Sequence, residues 1–165
     1  MKILVTYMTV SGQTKKVADA IFEVVEGEKE VQPVSEVNDL EGYDLAFVGS
    51  PIHSFGLNKE VVEFIEKNCK GRNIALFVTH SMPEGGEPLQ EWLDNCKNAA
   101  AETNLVGFFN CQGEMSKELA EILENSGDPQ AAEWGKAREK TVGQPDAARL
   151  EGARAFAREV VSKMS

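Results

Sequence analysis

The sequence predicts an α/β domain: a doubly wound five-stranded parallel sheet with helices on both faces. Two observations predict it. Short apolar runs alternate five times with segments of helical apolar spacing along 165 residues. Each helical segment supplies the long return connection that parallel pairing needs. One domain is expected over 1–165, a length that buries a core without disulfides or metals.

The elements follow in order. Residues 2–8, Lys-Ile-Leu-Val-Thr-Tyr-Met, read as a buried strand. Val17, Ala20, Ile21 and Val24 then share one face of a helix over 13–26. Residues 30–34 and 44–49 are the next two strands, and 58–68 is a helix with Val61, Val62, Ile65 and Cys69 inward. Residues 73–79 form a fourth apolar strand, and Pro88 opens a helix reaching about Ala101, since proline is tolerated in a first turn. Residues 104–111 are the last strand. Two amphipathic segments, 116–125 and 129–140, depart from the alternation. A terminal helix starts at Pro145 and Asp146 and reaches Lys163, with Leu150, Ala153, Phe156 and Val160 on one face.

The net charge of −10 comes from 27 acids against 17 bases. Such a surface repels nucleic-acid phosphate and anionic lipid, so neither nucleic acid nor a membrane is expected as a partner. It attracts a protein with a basic face, although acidity also serves plain solubility. The three cysteines, Cys69, Cys96 and Cys111, are odd in number and form no C-x-x-C pair. They read as small buried hydrophobes in a reducing, cytoplasmic compartment rather than as a disulfide framework or a zinc site. Met1-Lys2-Ile3-Leu4-Val5 has no long apolar segment and is not expected to be a signal peptide. No apolar run approaches the 18 residues that a membrane span needs.

In a doubly wound sheet, ligands bind beyond the carboxyl ends of the strands. After the first strand stand Thr9, Val10, Ser11, Gly12, Gln13 and Thr14. Three hydroxyls, a glycine and a helix N-terminus converge there, which suits a phosphate monoester. The competing reading is a Ser/Thr-rich helix cap with no ligand. A Walker A loop and a G-x-G-x-x-G fingerprint are absent. A phosphoacceptor receiver domain needs acids after strand one and an aspartate closing strand three, where this chain has Thr6, Thr9 and Gly49-Ser50.

The segment Thr9–Thr14 resembles the hydroxyl-x-hydroxyl-Gly-x-Thr phosphate loop of flavodoxins, and the resemblance extends along the whole chain. It implies a flavodoxin-like sheet of order 2-1-3-4-5 and flavin mononucleotide (FMN) as cofactor, its phosphate held at this loop. The loop Ser50, Pro51, Ile52, His53, Ser54, Phe55, Gly56 after strand three resembles the one that packs on the flavin ring, with Gly56 as the point where a peptide turns over. His80, Ser81, Met82, Gly85 and Gly86 after strand four suit the ring's pyrimidine edge, and Glu84 and Glu87 place negative charge nearby.

The chain departs from the flavodoxin pattern in having no tryptophan or tyrosine in either loop, because Trp92 and Trp134 fall in helices. Both histidines, His53 and His80, fall on the ligand edge, where a charge change near pH 6–7 would tune a bound flavin. Cys111-Gln112-Gly113 resembles a signature of a flavodoxin-domain subgroup that includes partners of anaerobic reductases. Cys111 reads as a packed residue before a redox thiol.

The resemblance implies an FMN-binding electron carrier, a monomer or weak dimer, that docks a larger redox partner through its acidic surface. The alternatives are an FMN-dependent NAD(P)H oxidoreductase acting on a quinone or tetrapyrrole, with 116–140 supplying a substrate shelf, and a cofactor-free interaction domain.

Overall fold

The computed structural model describes residues 1–165. Its strands are β1 (Lys2–Tyr7), β2 (Glu28–Pro33), β3 (Leu45–His53), β4 (Gly56–Leu57), β5 (Asn73–His80) and β6 (Asn104–Gln112). Its helices are α1 (Gln13–Val24), α2 (Lys59–Asn68), α3 (Glu87–Ala99), α4 (Lys117–Glu124), α5 (Pro129–Lys136) and α6 (Ala147–Met164). Five strands pair in parallel in the order β2-β1-β3-β5-β6, which is the expected 2-1-3-4-5 sheet. The two-residue β4 lies outside that path, antiparallel to the end of β3.

Side-chain alternation along the central strands makes the two layers. Leu4, Val48, Leu76 and Val78 face α2 and α3, where Val61, Phe64, Ile65, Leu89 and Leu93 complete one core. Ile3, Val5, Phe47 and Phe77 face the opposite way, against Val17 and Ile21 of α1 and Ala153, Ala157 and Val160 of α6. Both faces of the sheet are therefore covered, and its strands read as continuous apolar runs. No helix is long and apolar enough to cross a membrane.

Two local differences from the sequence expectation shape the ligand edge. The third strand does not end at Gly49 but runs to His53 and folds back as β4. Pro51 is tolerated because β1 has already ended: the last β1 contact is the Met8 N–H on the Gly49 carbonyl, 3.0 Å. Alternation then turns Pro51, which has no N–H, to that same open side. The second difference lies in 129–140, where the helix stops at Lys136 and a 3₁₀ turn covers Ala137–Thr141.

α4 and α5 pack against each other and are inserted between β6 and α6. Gly135 lets them meet, since a Cβ there would lie 2.6 Å from the Ala120 carbonyl oxygen. Each helix has its own cap. Ser116 Oγ accepts from the Leu119 N–H at 3.1 Å, and Asp128 Oδ1 from the Gln130 N–H at 3.0 Å.

Candidate functional site

The carboxyl ends of β1, β3 and β5 open on one groove with a polar and an apolar end. The polar end is a cavity of about 140 Å³ between Thr9–Thr14, Pro51–His53, Thr79–Ser81 and Gly113–Ser116. Gly12 begins α1 with φ of +94°, a backbone that L side chains rarely adopt, and no side chain caps the helix. The Gly12 N–H donates to Thr9 Oγ1 at 3.0 Å, which closes the loop on itself. Thr14 is buried, with Oγ1 2.8 Å from Thr79 Oγ1, so a side-chain bond ties the loop to the end of β5. Ser11 Oγ bonds to Gln13 Oε1. The N–H groups of Ser11, Gln13, Thr14 and Lys15 meet no acceptor in the chain. Free amides, the positive end of the helix dipole and three hydroxyls suit this loop to an anion without a cationic side chain.

The apolar end is a cavity of about 170 Å³ that shares Ile52, His80, Ser81, Met115 and Leu119 with the polar end. Its aromatic wall is a run of three rings. Phe55 and Trp92 have centroids 5.3 Å apart at 45°, and Trp92 and Trp134 6.0 Å apart at 88°. Met82 and Leu123 complete the lining.

Phe55 reaches this wall from a strained turn. His53 pairs with Gly56, leaving Ser54 and Phe55 as a two-residue hairpin loop with φ of +50° and +67°. Such a loop favours glycine or asparagine, and left-handed backbone costs about 1–2 kcal/mol for each ordinary residue. The Asn95 side chain holds the turn by donating to the Phe55 carbonyl at 3.0 Å. Gly56 is the paired residue of this hairpin and is not among the positive-φ glycines. The unusual backbone therefore sits on Ser54 and Phe55.

His80 ends β5 and is buried at the junction of the two ends. Its Nε2 lies 3.2 Å from Asn110 Oδ1, an acceptor, so the ring proton sits on Nε2. Its Nδ1 is buried without a partner. Burial lowers the pKa of His80, opposed by the Asn110 bond and the Glu84 charge. His53 stands at the exposed hairpin end with Nδ1 2.8 Å from Asn58 Nδ2, and desolvation lowers it as well. Burial therefore shifts both histidines below the ordinary histidine value.

The loop after β5 divides. Ser81 and Met82 face the groove, whereas Gly85 and Gly86 border a separate open depression with Glu84, Glu87 and Asn110. Glu84 of this half of the loop pairs with α6, Arg149 Nε to Glu84 Oε1 at 2.9 Å. Cys111 is packed in the core beneath α1 and α6, and burial pushes its thiol up to about 12, far from a thiolate at neutral pH. The residues after it have a structural task. The Gln112 side chain donates to the Met82 carbonyl at 3.1 Å, and the Gly113 N–H to the His80 carbonyl at 2.6 Å. Together they hold the inner half of the loop in place.

Of the residues singled out from sequence, the structure brings together Thr9–Thr14, Pro51–Phe55, His80, Ser81 and Met82 around one groove. Ser50 supports it from below: its Oγ accepts from the Asn58 N–H at 2.9 Å and donates to the Pro51 carbonyl at 2.7 Å. Sequence reasoning missed Thr79, Met115, Leu119, Leu123, Trp92 and Trp134. The signal for Trp134 was its isolation, as the one large apolar residue in α5.

Residues 4–158 match the family described as the flavodoxin domain, so the chain belongs to the flavodoxin family. It is similar to the flavodoxin-like domain-containing protein BilS of Clostridioides difficile (strain CD3), with 29% identity over 175 residues, 100% of this chain and 99% of that protein. Among solved structures, it shares its fold with a flavodoxin from the domain Archaea, at TM-score 0.66 and 17% identity over 99% of both chains. Oxidised flavodoxin 2 of Bacillus cereus gives TM-score 0.61 at 18% identity, again over 99% of both chains. A flavoprotein of Lactobacillus acidophilus NCFM, solved in complex with FMN, gives TM-score 0.52 at 19% identity over 66% of this chain and 92% of that one.

Proposed function

We propose that the groove holds FMN and that the protein carries electrons between FMN and a larger redox partner. The observation that carries this is the polar end: four free amides and the Thr9, Ser11 and Thr14 hydroxyls at a helix N-terminus. Such a set fits a dianionic phosphate monoester. The adjoining apolar end fits the flat ring of the same molecule, so the groove matches a bipartite ligand with one charged and one aromatic part. Family membership and a neighbour in fold solved with FMN support the same reading.

When bound, FMN supplies the redox chemistry by taking up and releasing electrons one or two at a time. The chain supplies binding and surroundings. Thr9, Ser11 and Thr14 and the amides of Ser11, Gln13, Thr14 and Lys15 would hold the phosphate. Trp92, Met82 and Leu123 would line the ring end, with Phe55 at its exposed rim. His80 keeps its proton on Nε2 against Asn110, and its Nδ1 lone pair remains an acceptor at the junction.

A second reading, an FMN-dependent NAD(P)H oxidoreductase for a quinone or tetrapyrrole, is favoured by the α4–α5 pair, which adds Leu119, Leu123 and Trp134 as an apolar shelf. One titration tests the common premise: FMN fluorescence followed as the protein is added. Quenching to one FMN per chain is expected. A chain that takes up none is a cofactor-free interaction domain. Steady NADPH turnover with a quinone by the loaded protein decides for the second reading over the first.

A further inference from the structure

A third cavity adjoins the groove at Trp134. It measures about 100 Å³, and its lining includes Ser81, Met82, Gln112, Trp134, Ala137 and Lys140. Ser81, Met82 and Trp134 also line the apolar end, so these three side chains form the boundary between the two spaces. The wall is apolar where Met82, Trp134 and Ala137 stand. Gln112 is tied to it by donating to the Met82 carbonyl at 3.1 Å. The chamber is smaller than the roughly 150 Å³ that admits a benzene ring, so it suits an alkyl arm and not a second aromatic ring.

Lys140 is the one cationic side chain that lines this chamber or either end of the groove. It is exposed, so it stands at the chamber's mouth, and it takes part in no ion pair. The turn that carries it runs against the charge of the chain. Residues 136–140, Lys-Ala-Arg-Glu-Lys, hold three bases and one acid, whereas the net charge overall is −10. Arg138 of that turn is engaged: it lies 4.0 Å from the Glu114 carboxylate and donates to the Met115 carbonyl at 2.9 Å. Ser81 lines all three cavities, and its hydroxyl donates to no acceptor in the chain.

We propose that this chamber takes the alkyl arm of an apolar organic acid, with the carboxylate on Lys140 and the body of the molecule against Trp134, toward the apolar end. This rests on the oxidoreductase reading and names the class of its substrate. The lining selects the occupant. An inorganic anion would pair with Lys140 and gain nothing from Met82, Trp134 and Ala137. An uncharged hydrocarbon would fill the chamber and leave the ammonium unpaired. An acid on an alkyl arm uses both, because burial of its methylenes adds to the charge pair. Ser81, where the three spaces meet, has a free hydroxyl to offer to the body of the same molecule.

The test titrates hexanoate, and 1-hexanol as its uncharged counterpart, into the isotope-labelled chain, both flavin-free and FMN-loaded. Chemical-shift changes are expected at the Trp134 indole N–H and the Gln112 side-chain amide, with no release of FMN. Lys140→Met keeps a long stem and removes the charge. Hexanoate affinity should then fall about threefold, the worth of an exposed ion pair, and hexanol affinity should stay as it was. Lys136→Met, of equal net charge, should change either by less than about 1.5-fold. Ala137→Leu fills the chamber and should weaken both probes about fivefold or more. Equal effects of the two lysine changes, a Lys140→Met loss shared by hexanol, undiminished binding to Ala137→Leu, release of FMN, or shifts at Val10 and Phe55 in place of Trp134 would overturn the proposal. Absence of NADPH turnover would sink the oxidoreductase reading and leave acid binding standing. Turnover in a chain that binds hexanoate elsewhere would do the reverse.

Discussion

At the polar end of the groove, seven consecutive residues, Thr9–Lys15, from the loop after β1 into the first turn of α1, supply the hydroxyls and the free amides. At the apolar end, Phe55, Trp92 and Trp134 arrive from a hairpin, from α3 and from α5, and nothing in their local sequence joins them. The first is a local device, whose geometry follows from one strand end, one glycine and one helix start. The second is a product of packing, and it exists only while the α4–α5 pair is seated. The anion site should therefore survive damage to the helices, whereas the ring site should not.

The largest effect should come from unseating that pair. Gly135→Val places a side chain 2.6 Å from the Ala120 carbonyl and 2.9 Å from Glu124 Cγ, and the backbone oxygen has nowhere to go. Overpacking of this kind costs about 1–3 kcal/mol, read by urea denaturation. FMN and riboflavin, its analogue without the phosphate, should both bind about tenfold or more weakly. Inorganic phosphate should still protect the Ser11–Lys15 amides from hydrogen exchange. Loss of that protection would break the division between the two ends.

The converse change is Thr14→Val, nearly isosteric. It removes the 2.8 Å bond to Thr79 and leaves the buried Thr79 hydroxyl without its partner, at a cost of about 1–3 kcal/mol in stability. FMN affinity should fall about tenfold, the worth of one good hydrogen bond to a charged group. Riboflavin affinity should stay within about twofold, because the aromatic wall is untouched. A parallel loss of riboflavin binding would mean that the Thr14–Thr79 bond supports the whole groove.

The same division explains what the sequence could reveal. Strand order, the two-faced core and the Thr9–Thr14 loop depend on short-range pattern and on Gly12, and all were readable. Trp92 and Trp134 were readable as helix residues but not as neighbours, because they lie in α3 and α5, and α5 reaches its place through the close contact of Gly135 with α4. The loop after β5 was read as one ring-edge segment. Gly85 and Gly86 instead border a separate depression, beside a Glu84–Arg149 pair that joins residues 65 positions apart and leaves no local trace. The hairpin turn at Ser54 and Phe55 ran against its own chemistry, since neither residue favours a left-handed backbone. Local rules commonly fail in this way where strain accompanies function.

His80 belongs to both ends, and its titration gives the smallest expected effect. Burial holds its folded-state pKa below the ordinary value of about 6.5, and desolvation of His53 acts in the same direction. Above that value both rings are neutral in the folded and unfolded chain, and their contribution is complete. As pH falls below it, the unfolded chain takes up protons that the folded chain refuses, and stability declines until the folded histidines themselves titrate. The groups facing His80 set how far this goes: Asn110 and Glu84 favour the charged ring, Arg149 opposes it. The depressed carboxyls of Glu30, Asp146, Glu151 and Glu159 lose their contributions only at lower pH. Urea midpoints between pH 7 and 5 should therefore fall for the parent chain and fall less for His80→Gln, with His53→Gln, His80→Gln together flattest. A midpoint that rises on acidification would mean that His80 is charged in the folded state, and its Nδ1 would then be a donor at the junction rather than an acceptor.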